Sequence, residues 1–237
     1  MSSHEKLPFL LSNPHAGLRI PPEVQSCCIL SQKDIVEDGD EGAGEIYDLA
    51  SYVQECISAD IARAIVDLNR SRDDFRPDGV VKTQTCWKVP VYSTYPSKLI
   101  IERLLKQYYD PYHQRLRELA GSVRMGVDCH TMAAQAPPIE ADHGQERPWV
   151  CLSDLNGNSL PRGWMDILHD CFSRQFEGRV RVNHPFQGGY ITRSHHHEMP
   201  WLQLELTRAP IFSPEQKRSR VLASLQNFWE TLRKEES

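Results

Sequence analysis

At 237 residues, with 40% hydrophobic and 25% charged side chains, the chain is long enough to bury one sizeable core and too apolar to be disordered throughout. A formal net charge of -5 with no block of like charges gives no electrostatic basis for binding nucleic acid or a membrane surface. No apolar run approaches the roughly 18 residues of a spanning helix, and the opening residues lack a signal-peptide pattern, so a cytoplasmic protein is expected. Seven scattered cysteines, an odd number without a Cys-x-x-Cys pair, are expected as reduced thiols.

Taken in chain order, residues 9–12 form the first strand candidate. An acidic loop over residues 37–41 feeds a helix across residues 41–58, where Ile46, Leu49, Ala50, Val53 and Ile57 fall at helical spacing. Residues 64–68 are a second strand candidate. From Ser97 a helix carries Leu99, Ile100, Leu104, Leu105, Tyr108 and Tyr109, is broken or kinked at Pro111, resumes through Leu116 and Leu119, and stops at Gly121. Residues 124–128 are the third strand candidate. A helix opening at residues 159–161 runs through Trp164, Ile167, Leu168, Cys171 and Phe172 to Gly178. Strand candidates at residues 180–183 and 201–207 follow. Ser213 with Gln216 then reads as a capping box for a last helix whose apolar face is Val221, Leu225, Phe228, Trp229 and Leu232.

No repeat or long linker divides the chain, so residues 1–237 are expected as a single domain. Strands alternating with helices predict an α/β three-layer sandwich: a mostly parallel or mixed central sheet, helices on both faces, and a ligand site beyond the carboxyl ends of the strands. Polar residues gather there: Asn13-Pro14-His15-Ala16-Gly17, Asp67-Leu68-Asn69-Arg70 and Asp128-Cys129-His130 each follow a strand candidate. In the last strand Gln203 and Glu205 alternate with Leu202, Leu204 and Leu206, which puts a carboxylate on one face of the sheet.

Two histidines from separate strand ends plus a carboxylate would make a three-ligand metal site with an open fourth position, and His15 and His130 are the natural pair. Spacing does not single out the carboxylate, because Asp34, Glu37, Asp38, Asp40, Glu41 and Glu45 crowd one segment. His195, His196, His197 and Glu198 lack the His-Glu-x-x-His spacing and read as a mobile loop, one of whose histidines could stabilise an oxyanion. Cys129 adjoins His130, but neighbours on a strand point to opposite faces, so a thiol nucleophile is disfavoured.

The segments PHAG at 14–17, EIYDLA at 45–50, VDLNR at 66–70, PYH at 111–113, DCHT at 128–131, GGYITR at 188–193 and LQLEL at 202–206, in that order, resemble the N-formylglutamate amidohydrolase family. The resemblance implies a zinc-carboxypeptidase-like (phosphorylase/hydrolase-like) fold and one zinc ion per chain. By motif position it implies His15, Asp40 and His130 as metal ligands, with Glu41 the rival of Asp40, and Glu205 as general base. Asn69 and Arg70, with Arg193 and the less secure Arg63, are then the groups for substrate carboxylates, since a guanidinium binds a carboxylate through two parallel hydrogen bonds. Arg63 stands where the family has a Ser-Arg pair, but Ala62 replaces the serine. Gly188 and Gly189 would let backbone approach a ligand closely, and Asp128 would orient His130. The implied reaction is hydrolysis of N-formyl-L-glutamate to formate and L-glutamate, with a small-molecule N-acyl amino acid as partner. Other N-acyl amino acids or small peptides, and a non-catalytic ligand-binding homologue, are the alternatives.

Overall fold

The structure, a computed structural model, describes residues 5–235. Its strands are β1 (Leu7–Asn13), β2 (Val53–Ser58), β3 (Met125–Met132), β4 (Val150–Ser153), β5 (Val180–Val182) and β6 (Trp201–Thr207). They join in one six-stranded sheet in the order β2-β1-β3-β6-β4-β5. The pairs β1–β2, β1–β3 and β3–β6 are parallel, β4 lies antiparallel to β6, and β5 is parallel to β4. The mixed sheet with helices on both faces is therefore the expected architecture.

The helices are α1 (Pro22–Gln25), α2 (Gln32–Asp38), α3 (Ala43–Ile46), α4 (Lys98–Leu104), α5 (Asp110–Leu119), α6 (Trp164–Gln175), α7 (Tyr190–His195) and α8 (Pro214–Glu235). Strand alternation divides the sheet's side chains into two layers. Phe9, Leu11, Val127, Cys129, Leu202 and Leu204 pack with residues of α3, α6 and α8 in one apolar core. On the other face Leu10 and Trp201 pack with α1, α2, α4, α5 and the buried segment around Ile61 to Leu68. The same face carries a polar strip across three parallel strands. Ser12, Asp128 and Gln203 are in register, as are His130 and Glu205 one step further toward the carboxyl ends.

Several elements depart from sequence expectation. The helix expected over residues 41–58 is the single turn α3, a reversal, and then edge strand β2. Its apolar spacing suits both periods, and pairing of β2 with β1 decides between them. Residues 64–68 are a tight buried turn rather than a strand: Val66 donates its N–H to Ala62 and Asp67 to the Val80 carbonyl. The four-residue β4 went unpredicted. Pro111 does not break its helix. A π-helical turn over Leu105–Tyr109 links α4 to α5 and leaves Pro111 in the first turn of α5, where a missing N–H is tolerated. The capping box at α8 is present, with Ser213 and Gln216 each accepting from the other's backbone N–H.

The acidic segment also differs from the expected loop, because Glu37 and Asp38 lie in α2, which opens with a capping box between Ser31 and Asp34. The cysteines at 27, 28, 56, 86, 129, 151 and 171 are all free thiols. Among the described residues no helix is long and apolar enough to cross a membrane.

Candidate active site

The polar strip opens into a cavity of about 230 Å³ lined by His15, Asp40, His130, Glu205, Asn69 and several arginines. His15 arrives just past the end of β1, His130 from within β3 and Glu205 from the register position beside it on β6. Asp40 follows α2, and its backbone N–H donates to the His15 carbonyl at 3.2 Å. Glu41, its rival, is exposed. The Asp128-Cys129-His130 run lies inside β3 rather than after it, and strand alternation sends Cys129 into the opposite apolar core. Burial pushes the Cys129 thiol well above its ordinary range, which removes it as a nucleophile.

His15, Asp40 and His130 are all buried and bring one ligand atom each to within 4.8 Å of one another. His15 Nε2 donates to Asp67 Oδ1 at 2.8 Å. Its Nδ1 is then an acceptor, and that atom is buried without any hydrogen-bond partner among the described residues, 3.6 Å from Asp40 Oδ1. An orphaned imidazole lone pair directed at a carboxylate is the arrangement a cation resolves.

His130 Nδ1 meets Asp40 Oδ2 at 2.9 Å, and that oxygen also accepts the Thr131 N–H. On its other side His130 Nε2 lies 2.9 Å from Asp128 Oδ1, as an ion-pair contact outside hydrogen-bond geometry, and 3.1 Å from Asn69 Nδ2. Both imidazoles thus turn Nδ1 toward Asp40 and present Nε2 to a fixed carboxylate, the outer support that orients ligating histidines. Burial opposes ionisation of Asp40, but His15 and His130 outweigh it and hold the carboxyl well below its usual range. Burial likewise opposes charge on His130, yet Asp128 and then Asp40 hold the ring well above the usual histidine value. A cation bound among these groups would take the place of a proton at His130 Nδ1.

Glu205 behaves oppositely. Burial dominates and pushes it up to about 7, with Gln203 Nε2 donating to Oε1 at 3.0 Å.

The arginines lining the cavity are Arg63, Arg70, Arg147, Arg193 and Arg208. Arg63 donates to Asp67 at 3.1 Å and to the Asp38 carbonyl. Arg70 binds the Asp78 carbonyl and faces its carboxylate at 3.6 Å. Arg147 makes a two-pronged contact with Asp142 at 2.8 Å, and Arg208 is spent on the Glu37, Gly39 and Thr131 carbonyls. Arg208 also faces Asp40 at 3.7 Å, which leaves Arg193, among the described residues, as the one of the five without a carboxylate partner; its Nη1 donates to the Gly188 carbonyl at 2.9 Å.

The profile of the N-formylglutamate amidohydrolase family matches residues 7–212. The chain belongs to the N-formylglutamate amidohydrolase family. N-formylglutamate deformylase of Pseudomonas putida is 27% identical over 210 residues, 81% of this chain and 76% of that protein. The Pseudomonas aeruginosa enzyme of the same name is 23% identical over 225 residues, 86% and 81% of the two chains. In fold, the chain matches a crystal structure of N-formylglutamate amidohydrolase from Ralstonia eutropha JMP134 with a TM-score of 0.79 and 19% identity, over 97% of this chain and 95% of that one. Gene product Atu2144 from Agrobacterium tumefaciens matches with a TM-score of 0.71 and 17% identity, over 98% and 91%.

Gly188 and Gly189 line the cavity, and each also admits close packing, Gly188 against Leu155 and Gly189 against Asn69. A Cβ on Gly189 would collide with the Asn69 amide. Of the expected mobile histidine loop, His195 is instead the last residue of α7, with His196 and His197 in the turn that follows, and none of the three is among the residues lining the cavity.

Sequence reasoning also missed the support behind the site. Lys82, fully buried, bridges Asp38 at 3.0 Å and Asp67 at 3.4 Å. Gln203 was signalled by its alternation with Glu205. Lys82, Arg147 and Arg208 lie in segments with no periodicity to mark them.

Proposed function

We propose that this chain hydrolyses the formamide of N-formyl-L-glutamate to formate and L-glutamate, using one zinc ion held by His15, Asp40 and His130. The observation that carries this reading is the unpartnered, buried Nδ1 of His15 facing Asp40 and His130, with Glu205 beside them. Two imidazoles and a carboxylate suit zinc and leave a coordination position for reactant. The cation, when bound, supplies a Lewis acid for the amide carbonyl and for the attacking water.

The chain's own groups account for the remaining chemistry. Glu205, raised to about 7 by burial, is poised near neutral pH to take a proton from water and return it to the departing amine. The new C–O bond forms at the formyl carbon, the C–N bond breaks, and the proton carried by Glu205 ends on the glutamate nitrogen. Arg193, free of any carboxylate, is the group best able to grip a substrate carboxylate bidentately, with Arg70 the second candidate. Arg63 is held by Asp67 and serves the site by fixing the anchor of His15.

The test is the purified chain supplied with N-formyl-L-glutamate, N-acetyl-L-glutamate and N-formyl-L-alanine, with metal content measured by mass spectrometry. Zinc at about one per chain and chelator-sensitive formate release from the first substrate are expected. A metal-free protein that turns over none of them would overturn the reading.

A further inference from the structure

Outside the catalytic cluster, two buried histidines and the exposed Glu198 form a chain that the proposed chemistry does not use. His113 on α5 has Nε2 at 2.9 Å from the Leu68 carbonyl and Nδ1 at 2.9 Å from His195 Nε2. His195 in turn has Nδ1 at 2.8 Å from Glu198 Oε2. The two rings stack, with centroids 5.2 Å apart and planes 10° from parallel.

Hydrogen-bond accounting fixes how many protons the two rings hold, one more than two neutral rings, and the Glu198 carboxylate 2.8 Å from His195 places the extra one there rather than on His113, whose outer partner is a neutral carbonyl. A carbonyl only accepts, so His113 Nε2 carries hydrogen and, in the neutral ring, Nδ1 is an acceptor. His195 Nε2 must therefore donate to it. A carboxylate also only accepts, so His195 Nδ1 must donate to Glu198. Both nitrogens of His195 then carry hydrogen, and the ring is an imidazolium paired with Glu198. The surroundings agree: burial, followed by the neighbouring His195, pushes His113 down to about 3 and keeps it the neutral member.

Other groups facing the pair are Tyr109, Tyr112 and Tyr190 around His113, with Asp110 and Arg117 more distant on α5. Trp201 of β6 lies against His195 and offers no titratable group.

The chain of contacts joins the two segments that offer groups to substrate. Leu68 precedes Asn69 and Arg70, and His195 lies two residues beyond Arg193 on the backbone of α7. The segments meet again where Ile191 N–H donates to Asn69 Oδ1 at 2.8 Å. We propose that His113, His195 and Glu198 are positioning residues, in which an imidazolium His195 sets the spacing between the Asn69–Arg70 segment and Arg193. Removing one proton from His195 leaves either two lone pairs facing each other at His113 or a lone pair facing the Glu198 carboxylate. Either contact becomes repulsive, and α7 loses its tie to Leu68. Substrate binding should weaken on the alkaline side while the chemical step is spared, because the unit touches none of the reacting groups.

This inference rests on the assignment of Asn69, Arg70 and Arg193 to substrate carboxylates. The discriminating variant is Glu198→Gln. The new amide can donate to Nδ1, so a neutral His195 satisfies both partners and the unit no longer needs its proton.

Histidine 15N NMR on the full chain should show both His195 nitrogens protonated at pH 7 in the wild type and only one in Glu198→Gln. Kinetics should show KM rising with pH in the wild type, a flattened KM profile in Glu198→Gln, and matching kcat plateaus. His195→Phe, which keeps the stacked ring, should give a pH-independent KM about tenfold above the wild-type value at low pH. A neutral His195 in the wild type, superimposable KM profiles, or a loss confined to kcat would overturn the inference. The NMR result decides the protonation state even if N-formyl-L-glutamate proves not to be the substrate, so the two failures are distinguishable.

Discussion

At the scale of single residues, the decisive feature is the difference between Glu205 and the three groups beside it. His15, Asp40 and His130 are fixed by carboxylates and backbone N–H groups, whereas Glu205 is held by the neutral amide of Gln203 and pushed up by burial. Three proposed ligands locked in place and one carboxylate left basic is a division of labour that substitution can separate. If the proposal holds, Glu205→Gln should bind zinc as the wild type does and keep its fold but lose about 10²- to 10⁴-fold in kcat, the usual worth of a general base. His15→Ala should lose metal and turnover together. Parallel zinc analysis and formate assays check both, and loss of metal from Glu205→Gln would make that residue a ligand.

The convergence of these residues was legible in the sequence because His15, His130 and Glu205 sit in short motifs whose order along the chain is distinctive, and Asp40 stands a few residues before another. Their partners were not. Asp67 lies in such a motif, but its use as the anchor of His15 and the acceptor of Arg63 and Lys82 depends on a turn that sequence periodicity misread as a strand. Lys82 carries no local signal at all. Its burial makes sense only once Asp38 and Asp67 are seen converging on it.

At the scale of elements, strands with clean alternation or long apolar runs were readable, and so was the capped helix α8. Short pieces stabilised by their neighbours were not. The edge strand β2, the four-residue β4 and the turns α1 and α3 owe their conformation to tertiary pairing, which overrides weak local preference. The centre of the sheet illustrates how closely that pairing is packed. Gly126 of β3 sits in register with Trp201 of β6, and a Cβ at position 126 would stand 2.6 Å from the indole ring. Nothing about a lone glycine in a strand announces this close approach, although a packing reason is what such a residue suggests. Gly126→Ala must therefore displace a fully buried tryptophan, at a cost of about 1–3 kcal/mol. Thermal unfolding should show a lowered midpoint. An unchanged midpoint would mean that the ring shifts without strain.

At the scale of the whole molecule, the sheet separates a dry face from a charged one. The core against α3, α6 and α8 is built of apolar side chains, while the opposite face buries Asp38, Asp67, Lys82, His113, Asp128, His130 and His195. Stability on that side depends on protonation. His113 shows the sign plainly. Its folded-state value of about 3 lies below the ordinary histidine value of about 6.5, so between those limits the unfolded chain binds the extra proton and the folded chain does not. The penalty is absent above pH 6.5, grows as pH falls, and levels off near pH 3. Within that window one proton contributes a slope of about 1.4 kcal/mol per pH unit. Asp67, held well below its usual range despite burial, chiefly by His15 and then Arg70 and Arg63, adds its own loss only once pH falls below about 4, the unfolded aspartate value. The interval from pH 6 to pH 4.5 therefore isolates the histidine contribution from that of Asp67. His113→Gln lowers stability at every pH by losing native contacts, but it removes the titrating ring. Urea denaturation at stepped pH should give a stability curve for the variant that is flatter than the wild type by about 1.4 kcal/mol per unit over that interval. Parallel curves would show that His113 takes up its proton inside the fold, with Leu68 and His195 rearranged to accommodate it.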